Sequence, residues 1–290
     1  MERNHAGRPL HEPRDRARAS PRCEKSRFFL WPIPQPICYL GRQQPSHTMK
    51  HLKFVLAAST LTLAASSAPA AFHVMQIEEI IGGINGNTSA QAIQLRLRGP
   101  GQTVLSNARV RAWDATGANP VLLLDMTTNV ANGSGGDNIL LASSAFNIIM
   151  SSVYGGSYAS DFVLTSLIPA GYLSGGKVTF EDDGGTVYWS TAFGNYTGTN
   201  LGNVGTNDAD GNFGAPTVAV PSNSRTGIRF INGFGAPSTT NVADYALTAD
   251  PASVRNNARN SFVVAPEPGT AALLAMGGLG AVAFFRRRRG

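Results

Sequence analysis

Five carboxylates in two short clusters are the side chains with the clearest chemical potential in this 290-residue chain. Glu181, Asp182 and Asp183 end one strand-like run, and Glu78 and Glu79 lie inside another. Two carboxylates can divide the roles of general acid and general base, as they do in glycoside hydrolysis. Acidic residues are also common in turns. We therefore favour a turn and solvent-facing positions for these residues, with a hydrolytic site as the alternative.

Histidine and cysteine are nearly missing from residues 72–265. This segment has one histidine, His73, and no cysteine, because Cys23 and Cys38 both precede it. Ser–His and Cys–His catalysis therefore lack a base, and His-rich metal sites lack ligands. The segment must be held together by burial, without disulfides. We predict that the chain is not an enzyme.

Oxygen-bearing side chains alternate along residues 207–212, which read NDADGN. Asp208, Asp210 and Asn212 stand at every second position, and Ca²⁺ prefers such hard oxygen ligands. However, the twelfth position of an EF-hand loop would fall on Thr217, where that loop needs glutamate. The sequence favours a polar turn here, with calcium binding as the alternative, and predicts no other cofactor.

Arginines at alternate positions on two successive strand-like runs could form a basic stripe. They are Arg96, Arg98, Arg109 and Arg111. Because arginine pairs well with carboxylates, such a stripe could bind an acidic extracellular polysaccharide, but we favour an ordinary solvated sheet face. Trp113, Tyr188 and Trp189 could stack on sugars. Strict alternation would allow only one of Tyr188 and Trp189 to point inward.

The last 25 residues combine three features in a fixed order. An acidic tripeptide precedes the uncharged run 269–285, and four arginines follow it. These flanking residues are Pro266, Glu267 and Pro268, then Arg286, Arg287, Arg288 and Arg289. As a helix, the 17-residue run would reach about 25 Å, slightly short of a hydrocarbon core of about 30 Å. Snorkelling arginines can bridge the difference, and basic flanks stay cytoplasmic. The pattern predicts a single transmembrane helix with residues 72–265 outside the cytoplasm.

This tail resembles the PEP-CTERM sorting signal of bacterial envelope and exopolysaccharide-associated proteins. The order, spacing and terminal position of its three parts carry the resemblance. It implies that a membrane-embedded exosortase recognises the tail and cuts near the tripeptide. The precursor would then sit in the inner membrane before reaching the cell surface or extracellular matrix. Ala265 stands where the family usually has valine, and an ordinary C-terminal anchor is the alternative.

The first 71 residues divide at Met49. Residues 1–48 are rich in arginine and proline without periodicity, so we expect a disordered or upstream extension ahead of the true initiator. Residues 49–71 have a charged start, a short apolar run and the small-residue pair Ala68 and Ala70. They predict a secretory signal peptide cleaved near that pair.

Charge is distributed unevenly along the chain. The net charge is +6 overall, but residues 72–265 hold nine Lys or Arg against thirteen Asp or Glu. The basic residues are therefore concentrated at the two ends. An acidic central segment predicts no nucleic-acid partner.

Short alternating or apolar runs between Gly, Asn and Ser clusters fill residues 72–265. The predicted strands are 74–81, 92–98, 108–114, 121–126, 138–142, 161–165, 177–181, 186–190, 227–231 and 261–264. We also expect a short helix at 143–149 and a long surface loop at 194–226. Many short antiparallel strands predict an all-β sandwich, flanked by the signal peptide and the transmembrane helix.

Residues 77–80 (IEEI) and 91–95 (QAIQL) resemble the opening of lamin-tail-like domains. That family is an immunoglobulin-like sandwich of secreted bacterial proteins, so the resemblance implies a scaffold or binding module. Gln94 stands where the family usually has glutamate, and Ala92 where it has an aromatic residue. We expect an exported, non-catalytic β-sandwich; a carboxylate-dependent glycan hydrolase or a calcium- or sugar-binding adhesin is the alternative.

Overall fold

A computed structural model describes residues 72–265, whose regular structure consists mostly of β-strands. The strands are β1 (Met75–Ile81), β2 (Ala92–Leu97), β3 (Ala108–Trp113), β4 (Val121–Met126), β5 (Asn138–Ala142), β6 (Phe162–Val163), β7 (Gly175–Asp182), β8 (Val187–Gly194), β9 (Ile228–Phe230), β10 (Tyr245–Leu247), β11 (Ser253–Arg255) and β12 (Ser261–Val263). The helices are α1 (Ser144–Tyr154) and the single turn α2 (Asn241–Asp244), with 3₁₀ turns at Gly155–Ser157 and Ala170–Tyr172.

Two sheets enclose the main apolar core. The first has six strands in the order β10-β9-β1-β2-β5-β6, and the second has four in the order β4-β3-β7-β8. All pairs are antiparallel except β5 with β6. Alternate residues of both sheets are fully buried in the shared core, among them Ile93, Leu95, Val110, Val178 and Phe180. This is the layering expected of an all-β sandwich.

A second apolar cluster covers part of the outer face of the first sheet. Helix α1 supplies Phe146, Ile149 and Met150, and the hairpin β11–β12 supplies Val254 and Phe262. The helix begins at a serine cap, because the hydroxyl of Ser143 accepts a hydrogen bond from the Phe146 N–H at 3.1 Å. The predicted helix at 143–149 is therefore confirmed, although the observed one ends later, at Tyr154.

A β-bulge corrects the expectation that only one of Tyr188 and Trp189 points inward. Strand β8 pairs Trp189 with Phe180 and Val187 with Glu181, so Tyr188 is the extra residue. Bulges interrupt the strict alternation of side chains. Both aromatic rings consequently lie in the main core, with Trp189 fully buried and Tyr188 9% exposed.

The segment 194–226 contains no strand beyond the end of β8, but it is partly buried and is not only the surface loop that we expected. Phe213 is fully buried, and Val220 also joins the main core. The buried Asn207 amide donates to the carbonyls of His73 at 2.6 Å and Tyr188 at 2.9 Å. These contacts tie an irregular segment to the sandwich in place of strand pairing.

Sequence prediction located ten of the strands and missed β10 and β11, which have three residues each. Within residues 72–265, no helix is long and apolar enough to span a membrane. The upstream extension 1–48, the signal peptide 49–71 with Ala68 and Ala70, and the tail 266–290 with its transmembrane helix lie outside the described residues.

Candidate functional site

A polar cavity of about 200 Å³ opens on the outer face of the first sheet, beside the hairpin β11–β12. We call it the arginine–glutamate pocket. Its lining residues are Glu78, Gln94, Arg96, Gly136, Asn138, Arg229, Ser253, Val254, Arg255 and Ser261. They come from β1, β2, β5, β9 and the hairpin, and from the turn before β5. The pocket is therefore built by chain topology, since its walls are far apart in sequence.

The outward position of these side chains follows from strand alternation and one bulge. Arg96 lies between two core leucines on β2, and Arg229 lies between Ile228 and Phe230 on β9. On β1, the register shifts between Ile77 and Glu79. This bulge places both Glu78 and Glu79 on the outer face, where each meets an arginine.

Two arginine–glutamate ion pairs lie in or beneath the lining of the pocket. Arg96 Nη1 contacts both carboxylate oxygens of Glu78 at 3.3 Å. Arg229 Nε donates to Glu79 Oε2 at 2.9 Å, and a second Arg229 nitrogen contacts the same oxygen. The amide of Gln76 donates to Glu78 at 2.6 Å. Burial raises the pKa of Glu79 to about 7, although Arg229 acts in the opposite direction.

Unpartnered polar atoms are concentrated in this network. Among the described residues, four buried side-chain atoms have no hydrogen-bond partner. Three of them, Gln76 Oε1, Glu79 Oε1 and Arg96 Nε, belong to the network, and the fourth is Asp208 Oδ2. Buried polar atoms are rarely left without partners, so each one calls for an explanation. A network with spare donors and acceptors is suited to binding a polar ligand.

The remaining candidate carboxylates lie at the end of β7 in the second sheet, and Glu181 is on its outer face. Glu181 on β7 pairs with Arg109 at 3.2 Å and Arg111 at 3.0 Å, both on β3. Burial raises the pKa of Glu181, while the two arginines lower it. Asp182 accepts from the Thr186 N–H at 2.8 Å, as the predicted turn requires. The two carboxylate clusters are therefore separated by the main core and are not brought together.

The four arginines do not form a basic stripe. Arg96 faces the pocket on the first sheet, whereas Arg109 and Arg111 belong to the second sheet. Arg98, just past the end of β2, is buried and donates to the carbonyls of Thr206 at 2.7 Å, Gly235 at 2.8 Å and Ala236 at 2.8 Å. It holds loops together instead of facing solvent. The stripe hypothesis assumed that strands next to each other in sequence share a sheet, which β2 and β3 do not.

The aromatic residues proposed to stack on sugars are mostly buried. Tyr188 and Trp189 belong to the core. Trp113 is half-buried, and its indole N–H donates to Thr179 Oγ1 at 2.9 Å. The Lys177 ammonium lies 5.2 Å from the Trp113 ring centre, and burial lowers the pKa of Lys177. Trp113 is therefore already engaged in contacts with neighbouring residues of the second sheet.

In the segment 207–212, proposed to bind calcium, the side-chain oxygens accept hydrogen bonds from nearby backbone N–H groups. Asp208 Oδ1 accepts from the N–H groups of Asp210 at 3.1 Å and Gly211 at 2.9 Å. Asp210 accepts from Asn212, and Asn212 from Gly214. No group of three or more His, Cys, Asp or Glu side chains that could hold a metal occurs within 72–265. Burial raises the pKa of Asp208, as does its neighbour Asp210.

Several pocket residues were missed at the level of sequence. Arg229 had a usable signal, because it stands between two apolar residues of a short alternating run. Ser253 and Arg255 had none, since β11 is only three residues long. Gln76 lay in a correctly predicted strand, but nothing local marked its side chain as part of a site.

Comparison with known families places a sorting signal at the end of the chain, overlapping the folded segment by two residues. Residues 264–289 match the family model described as "PEP-CTERM protein-sorting motif". Comparison with curated proteins returned no match, and the resemblance to lamin-tail-like domains is not confirmed. The first two matched residues, Val264 and Ala265, are described and buried in the second apolar cluster. The chain carries the PEP-CTERM sorting signal of an exosortase substrate, which implies export and processing of a membrane-anchored precursor.

Proposed function

We propose that this chain is a protein of the cell envelope or extracellular matrix whose β-sandwich is a non-catalytic binding module. The signal peptide would start export, the C-terminal helix would hold the precursor, and an exosortase would process it. The observation that carries the binding role is the arginine–glutamate pocket, where groups from six strands converge beside a network that has three buried, unpartnered polar atoms. Extracellular polysaccharide is the partner class we favour.

The position of the carboxylates supports a non-catalytic role. Hydrolysis by an acid–base pair needs two carboxyl groups about 5–9.5 Å apart on either side of the bond to be cut. Glu181 lies on the second sheet and Glu79 on the first, with the main core between them. Glu79 is 1% exposed and is not part of the pocket lining. Glu79 and Glu181 are therefore not opposed across a cleft.

The folded hairpin also bears on where processing occurs. Val264 is fully buried, and its N–H donates to the carbonyl of Ala252 at 2.8 Å. Ala265 is 6% exposed, and Pro266 follows it directly. A protease needs an accessible, extended backbone, so we place the cut after Ala265, at or beyond the tripeptide.

Fractionation of cells with and without exosortase tests the proposal. We expect the full chain in the inner membrane when exosortase is deleted, and a shorter form in the surface or matrix fraction when it is present. Mass spectrometry of the C-terminal peptide should find an end at or after Pro266. An unchanged mass and location in both strains would overturn the sorting account, and a C-terminus before Val264 would overturn the proposed cut.

A carboxylate-dependent glycan hydrolase is the second candidate, and one observation favours it. The raised pKa of Glu79, about 7, is in the range that a general acid requires. A panel of polysaccharides with the wild type, Glu79→Gln and Glu181→Gln tests this function. Turnover that either substitution abolishes would establish catalysis, whereas no turnover on any substrate supports the binding module.

A calcium-dependent adhesin is the third candidate. Asp208 Oδ2 is buried without a partner, and Asp210 is close enough to raise the pKa of Asp208. A cation between the two carboxylates would relieve both conditions. A glycan array with and without chelator separates this function from calcium-independent binding. Binding that is lost in chelator would favour the adhesin.

A further inference from the structure

We propose that the arginine–glutamate pocket binds the acidic end of a single uronic acid residue, that is, a carboxylate next to ring hydroxyls. This inference deepens the proposed binding function by naming the class of ligand. It rests on three properties of the pocket: the charge of its lining, the hydrogen-bonding groups that are still available, and the size of the cavity.

The lining of the pocket is cationic although the segment as a whole is acidic. Three arginines, Arg96, Arg229 and Arg255, face the cavity together with one carboxylate, Glu78. The other carboxylate of the network, Glu79, lies beneath the lining and is 1% exposed. An excess of guanidinium groups around a small cavity favours an anion, and the planar guanidinium matches a carboxylate especially well.

The three arginines differ in how firmly they are held. Arg229 binds Glu79 and the Ser253 carbonyl, so it fixes β9 against the hairpin. Arg96 makes two long contacts of 3.3 Å from a single nitrogen, and its buried Nε has no partner. The Arg255 side chain donates to the Arg259 carbonyl at 3.3 Å. Arg96 and Arg255 are therefore held less firmly than Arg229, and they are the arginines we assign to the ligand carboxylate.

Acceptor groups beside these donors distinguish a hydroxylated acid from a simple anion. Glu78 lines the cavity and can accept hydrogen bonds from hydroxyl groups. Ser253, Ser261 and Asn138 add side chains that both donate and accept. Phosphate or sulfate would meet the negative charge of Glu78, whereas a uronic acid can turn its carboxylate to the arginines and its hydroxyls to Glu78.

The size of the cavity limits how much of a polymer can enter. Its volume of about 200 Å³ is below the range of about 300–1,000 Å³ typical for drug-sized ligands. The pocket would therefore hold one sugar residue, with the rest of a chain outside. Val254, which also lines the cavity, is buried in the second apolar cluster. A single site of this size implies weak binding of a monosaccharide.

Isothermal titration of the full chain in detergent with sodium D-glucuronate tests the proposal. We expect saturable binding of glucuronate, at least tenfold weaker binding of D-glucose and acetate, and no comparable binding of inorganic phosphate. Arg96→Gln and Arg255→Gln should each weaken glucuronate binding at least tenfold. Arg111→Gln, which changes the arginine cluster of the second sheet, is the matched control and should change it less than twofold.

Three results would overturn the inference. They are a lack of glucuronate binding, equal binding of acetate or phosphate, or wild-type affinity in both pocket variants. If Arg96→Gln does not fold, as judged by circular dichroism, Arg255→Gln decides the outcome. None of these results changes the expected fractionation with and without exosortase, so failure of the ligand assignment is distinguishable from failure of the sorting account.

Discussion

The two outer faces of the sandwich each carry buried glutamates paired with arginines, but they use them differently. On the second sheet, one carboxylate, Glu181, is shared by Arg109 and Arg111. On the first sheet, Glu78 and Glu79 each have their own arginine, and the hairpin β11–β12 adds Arg255 beside them. Among the described residues, the network on the first sheet has unpartnered buried atoms, and the cluster of Arg109, Arg111 and Glu181 on the second sheet has none.

The comparison separates a structural ion pair from a candidate binding site. Two guanidinium groups around one carboxylate join β3 to β7. Beside the hairpin, the same residue types form a lined cavity whose hydrogen-bonding capacity is only partly used. Burial without full pairing costs stability, so its presence at one location suggests a function there. Residue type alone does not identify the site; the covering hairpin and the bulge in β1 do.

The largest loss of stability is expected when the aromatic side chain that packs the hairpin β11–β12 against helix α1 is removed. The Phe262 ring packs edge-on against Tyr154 at 5.3 Å and Tyr158 at 5.0 Å and is 4% exposed. Phe262→Ala should cost about 3–5 kcal/mol of hairpin stability, because a buried aromatic leaves a cavity. Hydrogen exchange should show faster opening of β11 and β12 while β3 and β7 keep wild-type protection. Equal loss of protection in all four strands would contradict independent opening of the hairpin.

The next effect is a dependence of stability on pH. Because the folded pKa of Glu79 is raised from 4.5 to about 7, the folded state retains a proton that the unfolded state has released. Stability should therefore fall by up to about 3 kcal/mol as the pH rises from about 4.5 to 7. Urea titrations should show this slope in the wild type and a flatter one in Glu79→Gln.

A matched control for the pH slope is available on the other sheet. Hydrogen bonds from Thr116 and Asn119 lower the pKa of Asp114 to about 2. The stabilisation that ionised Asp114 provides is complete above its unfolded pKa of 3.8 and is lost only as the pH falls toward 2. Asp114→Asn should therefore keep the wild-type slope between pH 4.5 and 7. If Glu79→Gln also keeps it, the proposed protonation of Glu79 is wrong.

A smaller difference in stability is expected between two substitutions of arginine by alanine, one on each sheet. At pH 8, Arg229→Ala would remove the partner that lowers the Glu79 pKa, so the buried carboxyl group must either stay ionised without a partner or take up a proton. We expect a loss of about 2–3 kcal/mol, less than for a fully enclosed pair because the Arg229 side chain is 32% exposed. Arg111→Ala should cost under about 1 kcal/mol, since Arg109 still pairs with Glu181. Urea denaturation measures both values, and similar losses would remove the proposed distinction between the two faces.

The smallest effect is expected at the fourth unpartnered atom, Asp208 Oδ2, which stands alone. Millimolar Ca²⁺ should raise the melting temperature by less than about 2 °C, because neighbouring side-chain oxygens already accept backbone N–H groups. Differential scanning calorimetry of the wild type and Asp208→Asn measures the shift. A rise of several degrees that is absent from the variant would instead support the calcium-dependent adhesin.

Sequence prediction succeeded where the signal was local. Strands 121–126 and 138–142 were predicted with the observed ends, because alternating or continuous apolar runs and flanking turn residues define them. The sorting motif was predicted for the same reason, since its three parts are contiguous in the last 25 residues. In these cases the pattern and the structural cause lie within the same short stretch.

The pocket could not be predicted because its causes are not local. Arg229 pairs with Glu79 across 150 residues of sequence, and Arg255 reaches the pocket through a three-residue strand. A bulge places Glu78 and Glu79 on one face, and another buries both Tyr188 and Trp189. Each bulge shifts the side-chain alternation by one residue, so a strict period-two reading gives the wrong face.

A crystal structure of the protein with D-glucuronate would test the central claim most directly. The account predicts a sugar in the arginine–glutamate pocket, with its carboxylate on Arg96 and Arg255 and a hydroxyl on Glu78. The cluster of Arg109, Arg111 and Glu181 should be unchanged on the second sheet. A pocket without the sugar at saturating glucuronate, or a sugar bound at the second sheet instead, would contradict the account.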